Sequence, residues 1–245
     1  WDEPFADSSQ IPTFLVSRMT REHVTVTLSG DGGDELFGGY DRYQQVKRLE
    51  RIRSLLPSGA RRLLGGALGR PAVETWDRLG RRLPRQLVPS GLRHRTGHRI
   101  HKVARLLTAR YAPDVYASLM SVENSGDSLV LGADDTPPAF GGIHTGQLEE
   151  FGAFERAMLI DTLTYLPGDL LTKVDRASMA VSLEVRVPFL DPDLFGFAWG
   201  LSHNHRVRNG QGKWVLRELL RRSLPDHLID RPKMGFGVPV GQWLQ

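Results

Sequence analysis

Cysteine is missing from all 245 residues. That excludes disulfides, thiolate metal ligands and a cysteine nucleophile within this chain. There is also no apolar run of about 18 residues, the length a membrane-spanning helix needs. The first residues show no basic-then-apolar signal pattern, and the absence of cysteine fits an expected cytoplasmic protein. The chain opens on Trp1 rather than Met, as an excised piece of a longer polypeptide would. What is present is 40% hydrophobic and 24% charged, the balance of a soluble globular protein able to bury a core. The length suits one large domain or two small ones.

The net charge of +4 conceals an asymmetry. Residues 42–110 hold sixteen arginines and two lysines against three acids, a net +15, which leaves −11 for the rest. A basic patch of this kind can attract nucleic acid. The plainer reading is a set of Arg-rich amphipathic helices, whose aliphatic stems cover apolar surface. Leu55, Leu56, Leu63, Leu64, Leu68, Leu79 and Leu83 are interleaved with the arginines as that reading requires. No aromatic interleaving and no nucleic-acid motif accompany them, so nucleic acid is not expected as a partner.

The pattern along the chain is mostly helical. Asp7-Ser8-Ser9 is expected to cap a helix starting near Ile11-Pro12, with Ile11, Phe14, Leu15, Val16 and Met19 as its apolar face. His23 to Leu28 reads as a short buried strand. Helices follow to about Arg110, with breaks expected at Pro57-Ser58-Gly59, Gly65-Gly66, Pro84 and Pro89-Ser90-Gly91. Residues 124–147 are turn-rich and read as a surface connection. Glu149 to Leu166 has helical spacing, and Pro167-Gly168 is expected to end it. Asp169 is then expected to cap a helix from Leu170 to about Ser182. The stretch "EVRVPFLD" is extended, because Pro188 keeps Val187 out of helical angles. Asp191-Pro192 opens a helix through Trp199, and Gly212 to Ser223 forms another. A single convincing strand makes no sheet. Its partners are expected upstream of Trp1 or in short strands.

The stretch with the most chemistry is "LSGDGGDELFGGY", residues 28–40. Four glycines and three acids lie between Asp31 and Gly39. Gly30, Gly32, Gly33, Gly38 and Gly39 permit a turn whose backbone N–H groups face an anion. Bare phosphate would be repelled by Asp31, Asp34 and Glu35. A divalent cation between them removes the conflict, since Mg²⁺ bridges one or two carboxylates to substrate phosphates. The loop chemistry thus suggests a magnesium–nucleotide site. Neither the EF-hand spacing nor the Walker A Gly-Lys-Ser/Thr is present.

Two further stretches join it: "DLLTKVDRASMAVSLEVRVPFLD" (residues 169–191) and "RPKMGFGVPVGQW" (residues 231–243). Together, in this order, the three resemble the synthetase domain of glutamine-hydrolysing asparagine synthetase of the B type. Residues 42–148 carry little that is specific to that family. The resemblance implies an α/β fold, part of an open parallel sheet of the adenine nucleotide α-hydrolase (PP-loop ATPase) type, this piece being predominantly helical. Residues 1–245 would be the C-terminal part of the synthetase domain. It would lack the upstream pyrophosphate loop, Ser-Gly-Gly-x-Asp-Ser, and the N-terminal glutaminase domain with its cysteine nucleophile. The implied activity uses Mg·ATP to activate aspartate as an acyl-adenylate, which ammonia derived from glutamine converts to asparagine and AMP. The piece alone is expected to be inactive.

The resemblance also implies roles for residues. Ser29, Gly30, Asp31, Gly32 and Gly33 fall at positions that line the nucleotide, and Asp34 at a magnesium ligand. Asp31 stands where many members carry glutamate, a residue that takes a proton from ammonia or holds the acceptor. The shorter side chain retracts the carboxylate by roughly 1.5 Å. Lys233 matches a lysine beside the reacting phosphate, where a cation stabilises developing charge. Asp175 matches an acid on the helix lining the site, while Ser178 stands where some relatives carry arginine. Glu184 and Arg186 share a face of an extended segment and read as a structural ion pair. Leu36, Phe37 and Tyr40 read as core, and no histidine shows metal-ligand spacing. Relatives with this loop that make lactams or other amides differ in the acceptor pocket, so a different carboxylate substrate stands as the alternative. A non-catalytic binding protein using residues 42–110 is the rival from another class.

Overall fold

The structure is a computed structural model and describes residues 5–82, 96–109, 115–116, 119–120, 148, 150–230 and 237–243. In chain order its helices are α1 (Gln10–Arg21), α2 (Gly33–Phe37), α3 (Asp41–Ser54), α4 (Ser58–Gly69), α5 (Val73–Arg82), α6 (Thr96–Thr108) and α7 (Ala153–Leu163). They continue as α8 (Thr172–Met179), α9 (Pro192–Gly200), α10 (His203–Arg206), α11 (Trp214–Leu220), α12 (Asp226–Ile229) and α13 (Val240–Trp243). Two strands, β1 (Val26–Leu28) and β2 (Glu184–Arg186), pair in parallel with Val26 opposite Glu184 and Leu28 opposite Arg186. The chain forms two compact units: Trp1–Asp41 with Met158–Gln245, and Arg42–Ala157.

In the first unit, helix α1 starts at Gln10, but Ser9 does not cap it. Asp7 instead accepts hydrogen bonds from the Ser9 amide (2.9 Å) and hydroxyl (2.6 Å), and from the ammonium of Lys173 (2.5 Å). Lys173 is buried, and a buried ammonium must be paired. That need outweighs a helix cap.

The strand is shorter than His23–Leu28 and is not buried. Only Val26–Leu28 pairs, and Leu28 is 70% exposed. Its partner among the described residues is the segment whose extension Pro188 foretold. Ladder bonds continue past the ends, from the Glu184 amide to Thr25 O (2.9 Å) and from the Ser29 amide to Arg186 O (2.8 Å).

Pro167-Gly168 does not end the preceding helix. It lies within a π-helical turn, Leu166–Leu171, that leads directly into α8. Proline has no N–H for an α-helical bond, and the wider turn accommodates its ring without breaking the helix. Asp169 therefore caps nothing; its carboxylate lies 3.9 Å from Lys173, one helical turn on. Asp191 does cap α9 as expected, accepting from the amides of Asp193 (3.0 Å) and Leu194 (3.2 Å). Leu36, Phe37 and Ala198 form a buried cluster against Phe189, Phe195 and Trp199. The Phe37 and Phe189 rings meet edge to face at 5.6 Å. The core of this unit is thus built directly beneath the acidic glycine loop.

In the second unit, Tyr43 from α3 packs edge to face on Phe154, ring centres 5.7 Å apart. Pro57 separates α3 from α4, but Gly65 and Gly66 lie inside α4 rather than between helices. A Cβ on Gly65 would lie 2.6 Å from Thr108 Cγ2 and 2.9 Å from Ala104 O. The glycine permits close packing on α6 instead of breaking the helix. The leucines among the arginines are not uniformly core, since Leu55 and Leu63 are each 77% exposed. Pro84, Pro89–Gly91 and the turn-rich stretch 124–147 lie outside the described residues.

Candidate functional site

The site is built where β1 ends. After Leu28 the backbone leaves the parallel pair at Ser29, turns through Gly30–Gly32, and enters the short helix α2. In open parallel sheets the carboxyl ends of strands are where ligands bind. A cavity of about 370 Å³ opens there, lined by Ser17, Thr27, Ser29, Asp31, Lys173 and Val185 among others. That volume lies within the usual range of small-molecule sites, roughly 300–1,000 Å³.

Ser29 and Asp31 hold each other at its edge. The Ser29 hydroxyl donates to Oδ2 of Asp31, and the Asp31 amide donates back to Ser29 Oγ at 3.2 Å. The carboxylate is thereby oriented by its own loop. Lys173 brings the positive charge, held between Asp7 and Asp169. Burial opposes ionisation of Asp7, but hydrogen bonds from Lys173 and Ser9 outweigh it and lower its pKa to about 2.

The loop glycines have separate reasons. Gly32 has φ +79°, which favours glycine, and a Cβ there would also lie 2.8 Å from Leu190. A Cβ on Gly33 would lie 3.0 Å from the Phe189 ring. These two glycines let the loop pack on the Pro188–Leu190 turn of the second motif. Gly30 has open space where its Cβ would be. Of the loop glycines that precede α2, Gly30 alone leaves room for a ligand to approach the backbone.

Glu35 is fully enclosed. Burial raises its pKa above the ordinary value, assisted by the nearby carboxylates of Asp34 and Asp161, while the Tyr40 hydroxyl donates to Oε1 at 2.9 Å. Glu35 and Tyr40 brace the loop from within. Asp34, the residue before Glu35 in α2, has its Oδ2 2.9 Å from the ammonium of Lys213.

Across the whole of residues 1–245 the chain matches the sequence profile of asparagine synthase. The chain belongs to the asparagine synthase family. It is 34% identical over 252 residues to the putative asparagine synthetase [glutamine-hydrolyzing] of Mycobacterium tuberculosis, covering 100% of this chain and 34% of that protein. It is 32% identical over 251 residues to asparagine synthetase [glutamine-hydrolyzing] 1 of Bacillus subtilis, covering 100% and 35%. A shorter stretch of 55 residues is 56% identical to a putative asparagine synthetase of Methanocaldococcus jannaschii, covering 22% of this chain and 11% of that protein. The chain thus spans about a third of the length of the curated relatives it matches end to end. No solved structure matches it.

Within this family member the structure brings Ser29 and Asp31 to one cavity, with Gly30 open beside them. Asp175 is placed elsewhere. It lies on the exposed side of α8, 3.9 Å from Arg176, and is not among the cavity-lining residues. Lys233 lies outside the described residues. Glu184 and Arg186 form the expected ion pair, 2.7 Å long and largely exposed. No helix among the described residues is long and apolar enough to cross a membrane.

Whether the donors suit magnesium is a question of ligand chemistry. Asp34 presents a hard carboxylate, 28% exposed, whose Oδ2 is paired with the Lys213 ammonium. Among the described residues no cluster of three or more His, Cys, Asp or Glu forms a metal cage. A single carboxylate fits magnesium, which commonly takes one or two from the protein and the rest from phosphates and water.

Sequence reasoning missed Lys173, Asp7 and Lys213. Lys173 carried a signal, its i,i+4 spacing to Asp169. Asp7 and Lys213 carried none, because their partners are distant in sequence.

Proposed function

We propose that this chain is the C-terminal part of an asparagine synthetase's synthetase domain, an ATP-dependent amide ligase of the PP-loop α/β type. The observation carrying the reading is the Ser29–Asp31 pair, set on a cavity at the carboxyl end of two parallel strands. The relatives' names, which specify glutamine-hydrolysing asparagine synthetases, supply the reaction.

A carboxylate oxygen of aspartate attacks the α-phosphorus of ATP. The α–β phosphoanhydride bond breaks, pyrophosphate leaves, and β-aspartyl-AMP forms. Ammonia, delivered from glutamine by an N-terminal glutaminase domain, attacks the acyl carbon. A proton leaves the nitrogen, the C–O bond to AMP breaks, and asparagine is released.

Ser29 and Gly30 receive the nucleotide, with Gly30 allowing the closest approach of backbone to ligand, while Gly32 and Gly33 seat the loop on the Pro188–Leu190 turn. Asp31, oriented by Ser29, accepts the ammonia proton. Asp34 would hold a magnesium ion, which when bound neutralises phosphate charge. Lys233 stabilises charge developing on the α-phosphate and the tetrahedral intermediate.

The test uses the full-length polypeptide and measures pyrophosphate release from Mg·ATP with and without aspartate. Release that requires aspartate supports the reading. Release that ignores aspartate but answers to another carboxylate keeps the chemistry and changes the product. Asp34→Asn should raise the magnesium requirement and slow adenylation. An unchanged requirement would remove Asp34 from the metal site.

A further inference from the structure

The acidic glycine loop is gripped by a residue from a distant part of the sequence. Lys213 precedes α11, and its ammonium lies 2.9 Å from Asp34 Oδ2, both side chains under a third exposed. Three further features fix this contact. Lys213 has φ +56°, a left-handed conformation that a lysine adopts only when its surroundings impose it. Its amide donates to Phe37 O at 3.1 Å, which ties the turn before α11 to the end of α2. Two glycines make the fit possible. A Cβ on Gly39 would lie 1.9 Å from Asp34 Oδ1 and 2.4 Å from Lys213 Cε. A Cβ on Gly212 would lie 2.4 Å from Gly38 O. A side chain at Gly39 would displace the lysine or the carboxylate, and one at Gly212 would push the turn before α11 off the Gly38–Gly39 backbone. The geometry spends two glycines and one strained residue on holding a single carboxylate.

A surface ion pair needs none of this. Exposed pairs contribute about 0–1 kcal/mol and form without backbone strain. A carboxylate that must meet a cation at a defined angle does need it, because ligating carboxylates are oriented by outer-shell hydrogen bonds. The Lys213 ammonium pairs with Oδ2, and Oδ1 faces the Gly39 side.

We propose that Lys213 is the positioning residue for Asp34, orienting its carboxylate for the divalent cation that accompanies ATP. The inference rests on the metal role given to Asp34 above. Lys213 touches neither substrate nor metal and acts through Asp34. Its positive charge opposes a second cation nearby, and the sign of the Mg²⁺ shift on removing it tells orientation from competition.

The experiment compares Lys213→Met, Lys213→Arg and Asp34→Asn in the full-length polypeptide. The readout is the rise in melting temperature with Mg²⁺ at a fixed concentration of a non-hydrolysable ATP analogue. The Mg²⁺ dependence of pyrophosphate release is measured alongside it. Lys213→Met should move both Mg²⁺ midpoints upward, by about 10–100-fold as for other outer-shell partners. The rate at saturating Mg²⁺ should fall much less. Lys213→Arg should restore most of the shift. If Lys213→Met does not fold, Lys213→Gln carries the same expectation at smaller size.

An unchanged midpoint in the folded variant would make the pair merely structural and overturn the inference. A lower midpoint would also overturn it, by showing that the ammonium competes with the metal rather than orienting its ligand. Asp34→Asn separates the two readings. If it moves the midpoint and Lys213→Met does not, only this inference fails. If Asp34→Asn itself moves nothing, the metal role of Asp34 fails first.

Discussion

The hydroxyl of Tyr40 donates to Oε1 of Glu35 at 2.9 Å, tying the residue after Gly38-Gly39 back to the middle of α2. Both groups are removed from water, and burial raises the pKa of each. The loop therefore sets Asp31 on the cavity, pairs Asp34 with Lys213 and keeps its third acid for itself.

The sign of the pH effect follows from Glu35. Its pKa is raised above the ordinary 4.5, chiefly by burial, so the folded state holds the proton more tightly than the unfolded state. Its contribution to stability is full below 4.5 and is lost as pH rises through the folded pKa. Glu35→Gln keeps an acceptor for Tyr40 and never ionises. It should melt above the parent at pH 8, with the advantage vanishing below 4.5. Tyr40→Phe removes the donor and should destabilise by about 1–2 kcal/mol at neutral pH. Melting curves from pH 4 to 8 check both, and a Glu35→Gln variant less stable at every pH would refute the sign.

Two adjacent glycines in α4 make opposite predictions. Gly66 has open space where a Cβ would go, so Gly66→Ala should stabilise by about 1 kcal/mol through helix propensity alone. Gly65 faces Thr108 and the Ala104 carbonyl, so Gly65→Ala should destabilise, by about 1–3 kcal/mol, despite the same propensity gain. Denaturant midpoints of the two variants should fall on either side of the parent. Shifts of the same sign would show that α4 and α6 are not packed as described.

These glycines also show what a sequence can and cannot convey. The acidic loop was legible because its information is local: glycines and acids at close spacing after a β-branched run. The cap of α9 was legible for the same reason, Asp191 standing immediately before Pro192. Gly65-Gly66 and Pro167-Gly168 were misread because each residue type has two uses. Glycine breaks a helix or lets another approach, and proline ends a helix or sits in a π turn. Only the neighbouring helix, or the wider turn, decides between them. β2 was seen as extended, but its pairing with β1 was not, since parallel pairing joins segments distant in sequence. The pairings of Lys213 with Asp34 and of Asp7 with Lys173 were invisible on the same ground. Each residue matters through a partner that the fold brings near.

Asp7 and Lys173 give the last prediction. Lys173 is buried at the cavity wall and Asp7 meets it at 2.5 Å, with Asp169 farther away at 3.9 Å. Burial works against the Asp7 carboxylate, yet its hydrogen bonds bring the pKa to about 2, below the ordinary 3.8. A depressed carboxylate stabilises the fold fully above its unfolded pKa, and loses that contribution as pH falls through the folded one. Asp7→Asn should therefore destabilise by about 2 kcal/mol at pH 7, the scale of a charge-assisted hydrogen bond. The gap from the parent should narrow as pH falls from 3.8 toward 2. Lys173→Met, which leaves Asp7 and Asp169 facing an apolar wall, should also weaken binding of the anionic nucleotide, because the cavity loses a positive charge. Melting temperatures across that acid range test the first statement, and nucleotide titration of the full-length polypeptide tests the second. A Lys173→Met variant that binds nucleotide as the parent does would leave the lysine a purely structural partner of Asp7.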